Sequence, residues 1–171
     1  VTHTRALKAT ISREHASFRL VARRSRIHRV GVFAAERIPR GRKVIEFTGE
    51  RINFNEARRR WSPALNYMFS LDNNLIIDGA VGGSGAEYIN HSCAPNLSAR
   101  ILRGHLLYFS TRGIGKGEEL TVDYKYAGGG TQAHPCNCGA ATCRGTMILA
   151  HRDTRAGRAP RRPASQRVRA S

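Results

Sequence analysis

The sequence predicts a single, mostly β domain built from short strands, with a basic segment at either end. Three observations carry that prediction. Apolar runs of three to six residues recur between turn residues, only one stretch has the punctuation of a helix, and the excess positive charge sits at the two ends. At 171 residues the chain fits one domain whose core can hold a fold without covalent staples.

Strands are expected over residues 30–34, 43–48, 67–71, 75–77, 97–102, 105–110 and 119–122. The separators are turn formers: Pro39-Arg40-Gly41, Asp72-Asn73-Asn74, Arg103-Gly104 and Gly115-Lys116-Gly117, so most strands should pair with a sequence neighbour. One helix is expected between Asn55 as N-cap and the break at Ser62-Pro63. Glu56 in its first turn and Arg58 to Arg60 near its end suit the helix dipole. Gly128-Gly129-Gly130 forms a joint ahead of the cysteine-rich segment, and no internal repeat is visible.

The formal net charge of +17 invites a nucleic-acid partner, so its distribution matters. Residues 1–29 hold eight Arg or Lys against one Glu, and residues 144–171 hold eight Arg against one Asp. Between them lie thirteen basic and ten acidic side chains. Flanks of that composition bury little apolar surface and should stay solvated. They suit either an electrostatic contact with DNA, RNA or an acidic partner, or a solubilising role. No apolar run approaches the ~20 residues of a membrane span, and no charged-then-apolar leader opens the chain, so an intracellular protein is expected.

The four cysteines fall in two places, Cys93 alone and Cys136, Cys138 and Cys143 in one loop. That spacing lets three sulfurs converge where Gly139 relieves the backbone, and a closed zinc site wants a fourth thiolate at ~2.3 Å. Cys93 supplies it if the fold brings the segments together. A disulfide framework is one alternative, although an intracellular chain of this size seldom keeps disulfides and Cys136 and Cys138 are badly placed to bridge each other. Unrelated thiols are another, and they leave the clustering unexplained.

Most of the polar chemistry lies in two stretches, Asn90-His91-Ser92-Cys93-Ala94-Pro95-Asn96 and Glu119-Leu120-Thr121-Val122-Asp123-Tyr124. Asn90 and His91 are adjacent donors and acceptors able to grip a small polar ligand. Tyr124 ends a strand beside the glycine joint, where a hydroxyl could line a pocket. Each alone has a structural explanation: His91 as a satisfied core histidine, Asn90 and Asn96 as turn formers, Tyr124 as a strand aromatic.

Together and in order, these stretches resemble the SET-domain protein-lysine methyltransferases over residues 25–147. Residues 26–34 resemble the family's first cofactor motif, 41–52 the segment after it, and 67–72 the strand bearing a lysine-channel tyrosine. The Asn90 and Tyr124 stretches are the most specific pair. The cysteine run resembles the post-SET zinc motif, which in the family borrows the cysteine of Asn-His-Ser-Cys. The resemblance implies a β-clip fold of small sheets and short helices, with a knot-like threading of the two motif segments and a C-terminal zinc-binding segment. Its divisions would be a basic flank over 1–24, the SET domain over 25–127, the post-SET zinc segment over 128–149 and a basic disordered tail over 150–171.

The resemblance further implies S-adenosylmethionine held at Val30, Gly31 and Val32 with Tyr88, Asn90 and His91. Tyr124 would be catalytic with Tyr67 beside it in the lysine channel, and zinc would bind Cys93, Cys136, Cys138 and Cys143. The substrate would be a lysine of a histone tail or another basic protein, in the nucleus and on chromatin of a eukaryote or in the cytoplasm of a bacterium. The sequence departs from the family at three places. Arg29-Val30-Gly31 replaces Gly-x-Gly, which removes a glycine that lets backbone approach a ligand. Glu87 stands where Arg is frequent. Val122 replaces a Phe or Tyr, leaving room for two or three methyl groups. Two other classes fit parts of the sequence. A catalytically silent SET-like module binding basic peptides or nucleic acid would accommodate Arg29 and Glu87, and a zinc-dependent nucleic-acid binder would use the charge but lacks interleaved basic and aromatic residues.

Overall fold

The computed structural model describes residues 9–62, 66–72, 74–126 and 134–149. The glycine joint over 128–130 and the tail over 150–171 lie outside the described residues. In chain order the elements are β1 (Leu20–Arg24), β2 (Val30–Ala34), β3 (Lys43–Phe47), β4 (Glu50–Asn53), α1 (Phe54–Arg60), β5 (Met68–Ser70) and β6 (Leu75–Asp78). A 3-10 turn (Ala86–Tyr88) follows, then β7 (Asn90–His91), β8 (Leu97–Leu102), β9 (His105–Ser110) and β10 (Thr121–Val122). They form four small sheets: β1-β2, β3-β9-β8, β4-β6-β5 and the parallel pair β7-β10. This is the mostly β architecture that the turn-punctuated sequence predicts, in the small sheets that the family resemblance implies.

The β8–β9 hairpin ends where the turn residues require. Arg103 and Gly104 both have positive φ, 50° and 77°, as a two-residue connection between right-twisted strands demands, and Leu102 pairs with His105 across it. The main core lies between the sheets, with Val32, Ile45, Ile89, Leu97, Leu106 and Leu120 all at or near zero exposure. A smaller apolar group of Ile52, Ala57 and Ile76 seats α1 on the β4-β6-β5 sheet.

Three strands escape the sequence pattern because each owes its order to a partner. β4 buries only Ile52, β7 has two residues, and β1 buries none of its residues fully and pairs along one edge with β2. The segment 9–24, assigned from sequence to the basic flank, is stitched into the domain. Ser12 donates to the Ser84 carbonyl at 2.8 Å, Ser17 to Val44 at 2.9 Å, and Ile11, Phe18 and Leu20 pack on the core.

Helix α1 starts earlier than predicted. Asn53 is its N-cap, with the side-chain oxygen accepting from the Glu56 N–H at 2.9 Å, and Asn55 lies inside the helix. Asn53 wins because it stands three residues before Glu56, the spacing of a capping box, whereas Asn55 does not. At the other end Arg60 bonds Glu56 (2.8 Å), Glu50 (2.6 Å) and the buried Asp78 (3.1 Å), tying the helix to β4 and β6. Among the described residues no helix is long and apolar enough to cross a membrane.

Arg29 closes the β1–β2 loop at φ 39°, in the left-handed region, with its carbonyl accepting from Ser25 at 3.0 Å. A side chain is strained there and a glycine is not. Arg29→Gly should therefore raise stability by up to about 1 kcal/mol, the strain relieved less the greater freedom of the unfolded glycine. Denaturant melts of the two chains measure the difference.

Candidate active site

Strands β7 and β10 bring the two motif stretches side by side, Asn90 opposite Thr121 and His91 opposite Val122, and Ser92 donates to the Val122 carbonyl at 3.0 Å. So short a ladder needs help, and Asn96 gives it. Its side-chain oxygen accepts from the Thr121 N–H at 2.9 Å, while its amide donates to the Glu119 carbonyl at 2.8 Å and to Glu118 Oε1 at 3.1 Å.

The Asn90 amide points to the β1–β2 loop. Its Nδ2 lies 3.1 Å from the Val30 carbonyl, 3.2 Å from that of His28 and 2.9 Å from Glu119 Oε1, which also accepts from Ser25 Oγ at 2.7 Å. A Cβ on Gly31 would sit 2.2 Å from that same carboxylate oxygen. Gly31 thus makes room for Glu119, a residue that the sequence offered only as part of a motif. Val30, Gly31 and Asn90 are gathered at one place. Val32 turns its side chain into the core, and its carbonyl accepts from Leu120 at 2.8 Å.

Tyr124 follows directly on this pairing. Its hydroxyl donates to the Ile89 carbonyl at 3.0 Å, and its ring lies 5.4 Å from His91 and 5.5 Å from Tyr126, which in turn packs against His134 at 4.8 Å. Burial, with Tyr126, Tyr108 and Tyr67 nearby, pushes the Tyr124 phenol far above its ordinary range. Tyr67 packs edge-on to Tyr88 at 5.5 Å, and burial raises both. Glu87 does not reach outward as a reversed charge would. Its carboxylate accepts from the Gly85 N–H at 2.8 Å, closing its own turn, and burial raises its pKa.

His91 is nearly sealed from solvent. Its Nδ1 is 3.1 Å from the Tyr124 N–H and so must accept, while Nε2 lies 3.4 Å from Cys93 Sγ. Burial holds its pKa down against the opposing pull of Asp123. The four sulfurs of Cys93, Cys136, Cys138 and Cys143 lie within 4.8 Å of one another, with Cys93 and Cys136 3.7 Å apart. The edge of a tetrahedron with zinc–sulfur bonds of ~2.3 Å is about 3.8 Å, and a disulfide is far shorter at about 2.0 Å. Backbone N–H groups of Cys93, Arg144 and Gly145 point at sulfurs of the cluster at 3.4 to 3.5 Å, which suits thiolates. The donors therefore fit zinc in chemistry and spacing.

The cysteine segment is tied back to the domain beside Tyr124. Arg144 grips both oxygens of Asp123 at 3.0 and 2.9 Å, and burial of that carboxylate is more than offset by the guanidinium, which leaves its pKa below the usual range. Tyr126 exchanges backbone bonds with Met147 and Leu149 at 3.2 and 3.1 Å. Nothing local marks Arg144 in the sequence beyond its place after the last cysteine.

Small β sheets, an Asn-His strand paired with an Asp-Tyr strand, and a four-cysteine centre joined to that pair define a SET-type domain. The SET domain family model matches residues 29–125, more than half of the chain, and the chain belongs to that family. It is 42% identical over 133 residues to a Schizosaccharomyces pombe protein named histone-lysine N-methyltransferase, H3 lysine-4 specific. That match covers 72% of this chain and 14% of the relative. A protein of the same name from Chaetomium globosum is 38% identical over 136 residues, covering 72% of the chain and 13% of the relative. Histone-lysine N-methyltransferase trithorax of Drosophila virilis is 38% identical over 130 residues, covering 71% and 3%. The chain thus spans only a small part of the length of these relatives.

A four-thiolate site that loses one ligand loses most of its metal affinity and the order of the loop that carries it. Cys138→Ser should lower zinc content below one ion per chain, by elemental analysis, and speed proteolysis within residues 134–149. A metal-free parent protein with an intact, protease-resistant segment would overturn the assignment.

Proposed function

We propose that the chain transfers a methyl group from S-adenosylmethionine to the side-chain amine of a lysine in a protein, with a histone tail as the substrate. The observation that carries this reading is the Tyr124 hydroxyl, fixed by the Ile89 carbonyl in a group of phenols next to Asn90 and His91. The names of the relatives support a histone as acceptor. A histone substrate would put a eukaryotic protein in the nucleus, with the basic flanks available to the nucleic acid that accompanies it.

The cofactor, when bound, supplies the methyl on a sulfonium cation. Carbonyl oxygens near Asn90 and the π faces of Tyr67, Tyr88 and Tyr124 are groups that suit a cation, so the residues fit it. The backbone around Val30, Gly31 and Val32, with Tyr88, Asn90 and the backbone of His91, would hold it, and Tyr67 with Tyr124 would wall the channel for the lysine.

The attacking amine must be neutral, since a protonated amine has no lone pair. From a pKa of ~10.4, neutrality at pH 7 costs about 4.6 kcal/mol, and an apolar aromatic channel reduces that cost by disfavouring the charged form. The Tyr124 hydroxyl donates its hydrogen bond to the Ile89 carbonyl, which leaves its oxygen lone pairs free to accept an N–H from the amine and turn the nitrogen toward the methyl. With its pKa pushed upward the phenol stays protonated at neutral pH, so it orients the amine and the proton leaves to water.

Two features that fit a silent module have local explanations. Glu87 is spent on the Gly85 turn, and Arg29 adopts the left-handed backbone that a glycine would take. Four closed thiolate positions leave no open site on a metal, so zinc would be structural.

Tyr124→Phe should cut methyl transfer by about 100-fold or more while cofactor affinity changes little, as followed with labelled cofactor and by calorimetry. Loss of both together would mean that the tyrosine is structural. Val122 should allow two or three methyl groups, and Val122→Tyr should confine the product to one. Mass spectrometry of a methylated peptide reads both, and strictly monomethylated product from the parent would refute the pocket assignment.

A further inference from the structure

His91 uses both ring nitrogens, and each meets a different functional element. Because Nδ1 accepts from the Tyr124 N–H at 3.1 Å, the ring hydrogen belongs to Nε2, which faces Cys93 Sγ at 3.4 Å. The residue is only 2% exposed, so neither bond is exchanged for water at little cost.

Arg144 makes the same connection by another route. Its backbone N–H points at Cys93 Sγ at 3.4 Å, while its guanidinium holds the two oxygens of Asp123 at 3.0 and 2.9 Å. Asp123 and Tyr124 are consecutive. Two arms therefore reach from one sulfur to both residues of one dipeptide, one onto a backbone N–H and one onto a carboxylate. A metal-bound sulfur is a thiolate, fixed in place and a good acceptor, whereas a free thiol is a weak one. Hydrogen bonds to ligand atoms commonly orient a metal site and tune it, and here their far ends lie at the tyrosine of the proposed reaction.

We propose that His91 and Arg144 are positioning residues through which the four-cysteine metal centre sets the place of Tyr124. Zinc on this reading does more than staple the C-terminal segment. The inference rests on the proposed function only in taking Tyr124 as the residue that meets the amine; the physical linkage stands apart from it.

The test uses the 171-residue chain with cobalt(II) in place of zinc, because the sulfur-to-cobalt absorption band responds to hydrogen bonds on the sulfur. His91→Asn keeps a side-chain acceptor near Tyr124 but cannot reach the sulfur. Its band should move, and a chelator should remove its metal about tenfold more readily. Stripping metal from the parent should also change the tyrosine absorption, a signal missing in Tyr124→Phe and reduced in His91→Asn.

Arg144→Ala should keep its metal, since the backbone N–H is untouched, yet lower kcat about tenfold at unchanged KM, and Arg144→Lys should recover part of the loss by retaining a charge on Asp123. An unshifted cobalt band in folded His91→Asn, or a tyrosine signal in the parent that survives Tyr124→Phe, would overturn the proposal. So would an Arg144→Ala chain whose KM and kcat are those of the parent. If the parent transfers no methyl to any histone while the cobalt and tyrosine signals behave as stated, the proposed function falls and the linkage remains.

Discussion

A parallel pair of two-residue strands has too few backbone hydrogen bonds to persist in water, and β7 stays beside β10 because buried amide side chains supply the bonds that the ladder lacks. Asn96 satisfies the Thr121 N–H and the Glu119 carbonyl at once, and only a group with both a donor and an acceptor at that spacing does so. Leucine would leave two buried backbone groups unpaired, and aspartate would meet the Glu119 carbonyl with no hydrogen to give. The register follows, and with it the functional geometry. A slip by one residue would send His91 and Tyr124 to the opposite faces of their segments, away from Cys93 and Ile89.

The C-terminal segment depends on a different kind of bond. Among residues 134–149 only Cys136 is buried, so apolar burial does not hold this stretch against the domain. Its order comes from Arg144 on Asp123, the backbone exchange with Tyr126 and the convergence of its three sulfurs on Cys93. A metal closing that convergence joins residues 43 to 50 positions apart, a long loop whose closure by any weaker contact would be entropically marginal.

What the sequence disclosed and what it withheld divide along a physical line. Turn chemistry is local, so Arg103-Gly104 located the β8–β9 hairpin to the residue. Side-chain types are local too, so Asn90, His91, Tyr124 and the cysteines stood out as bearers of chemistry. Partnership is not local. Glu119 reaches Ser25 across 94 positions, and nothing near either residue announces the pair or explains why Gly31 must be small. β1 and β7 likewise have no apolar alternation of their own and are strands because of what lies beside them. The helix start was misplaced for a subtler reason. Two asparagines were available, and the choice turned on the three-residue spacing to Glu56 and not on residue type.

The charge of the chain bears on how a basic substrate would be met. Glu36, Glu50, Glu56, Asp78, Glu118 and Asp123 already pair with arginines inside the chain, six of its twelve acidic side chains. With half of the acidic side chains so engaged, the net charge of +17 repels a lysine-rich tail at long range. Long-range steering would instead favour the polyanion that accompanies histones, which suits the basic flanks. On the proposed function, selection of the lysine would then be a short-range matter for the phenols and carbonyls around Tyr124. Such a division separates arrival from recognition, since salt would weaken the first and leave the second largely unchanged.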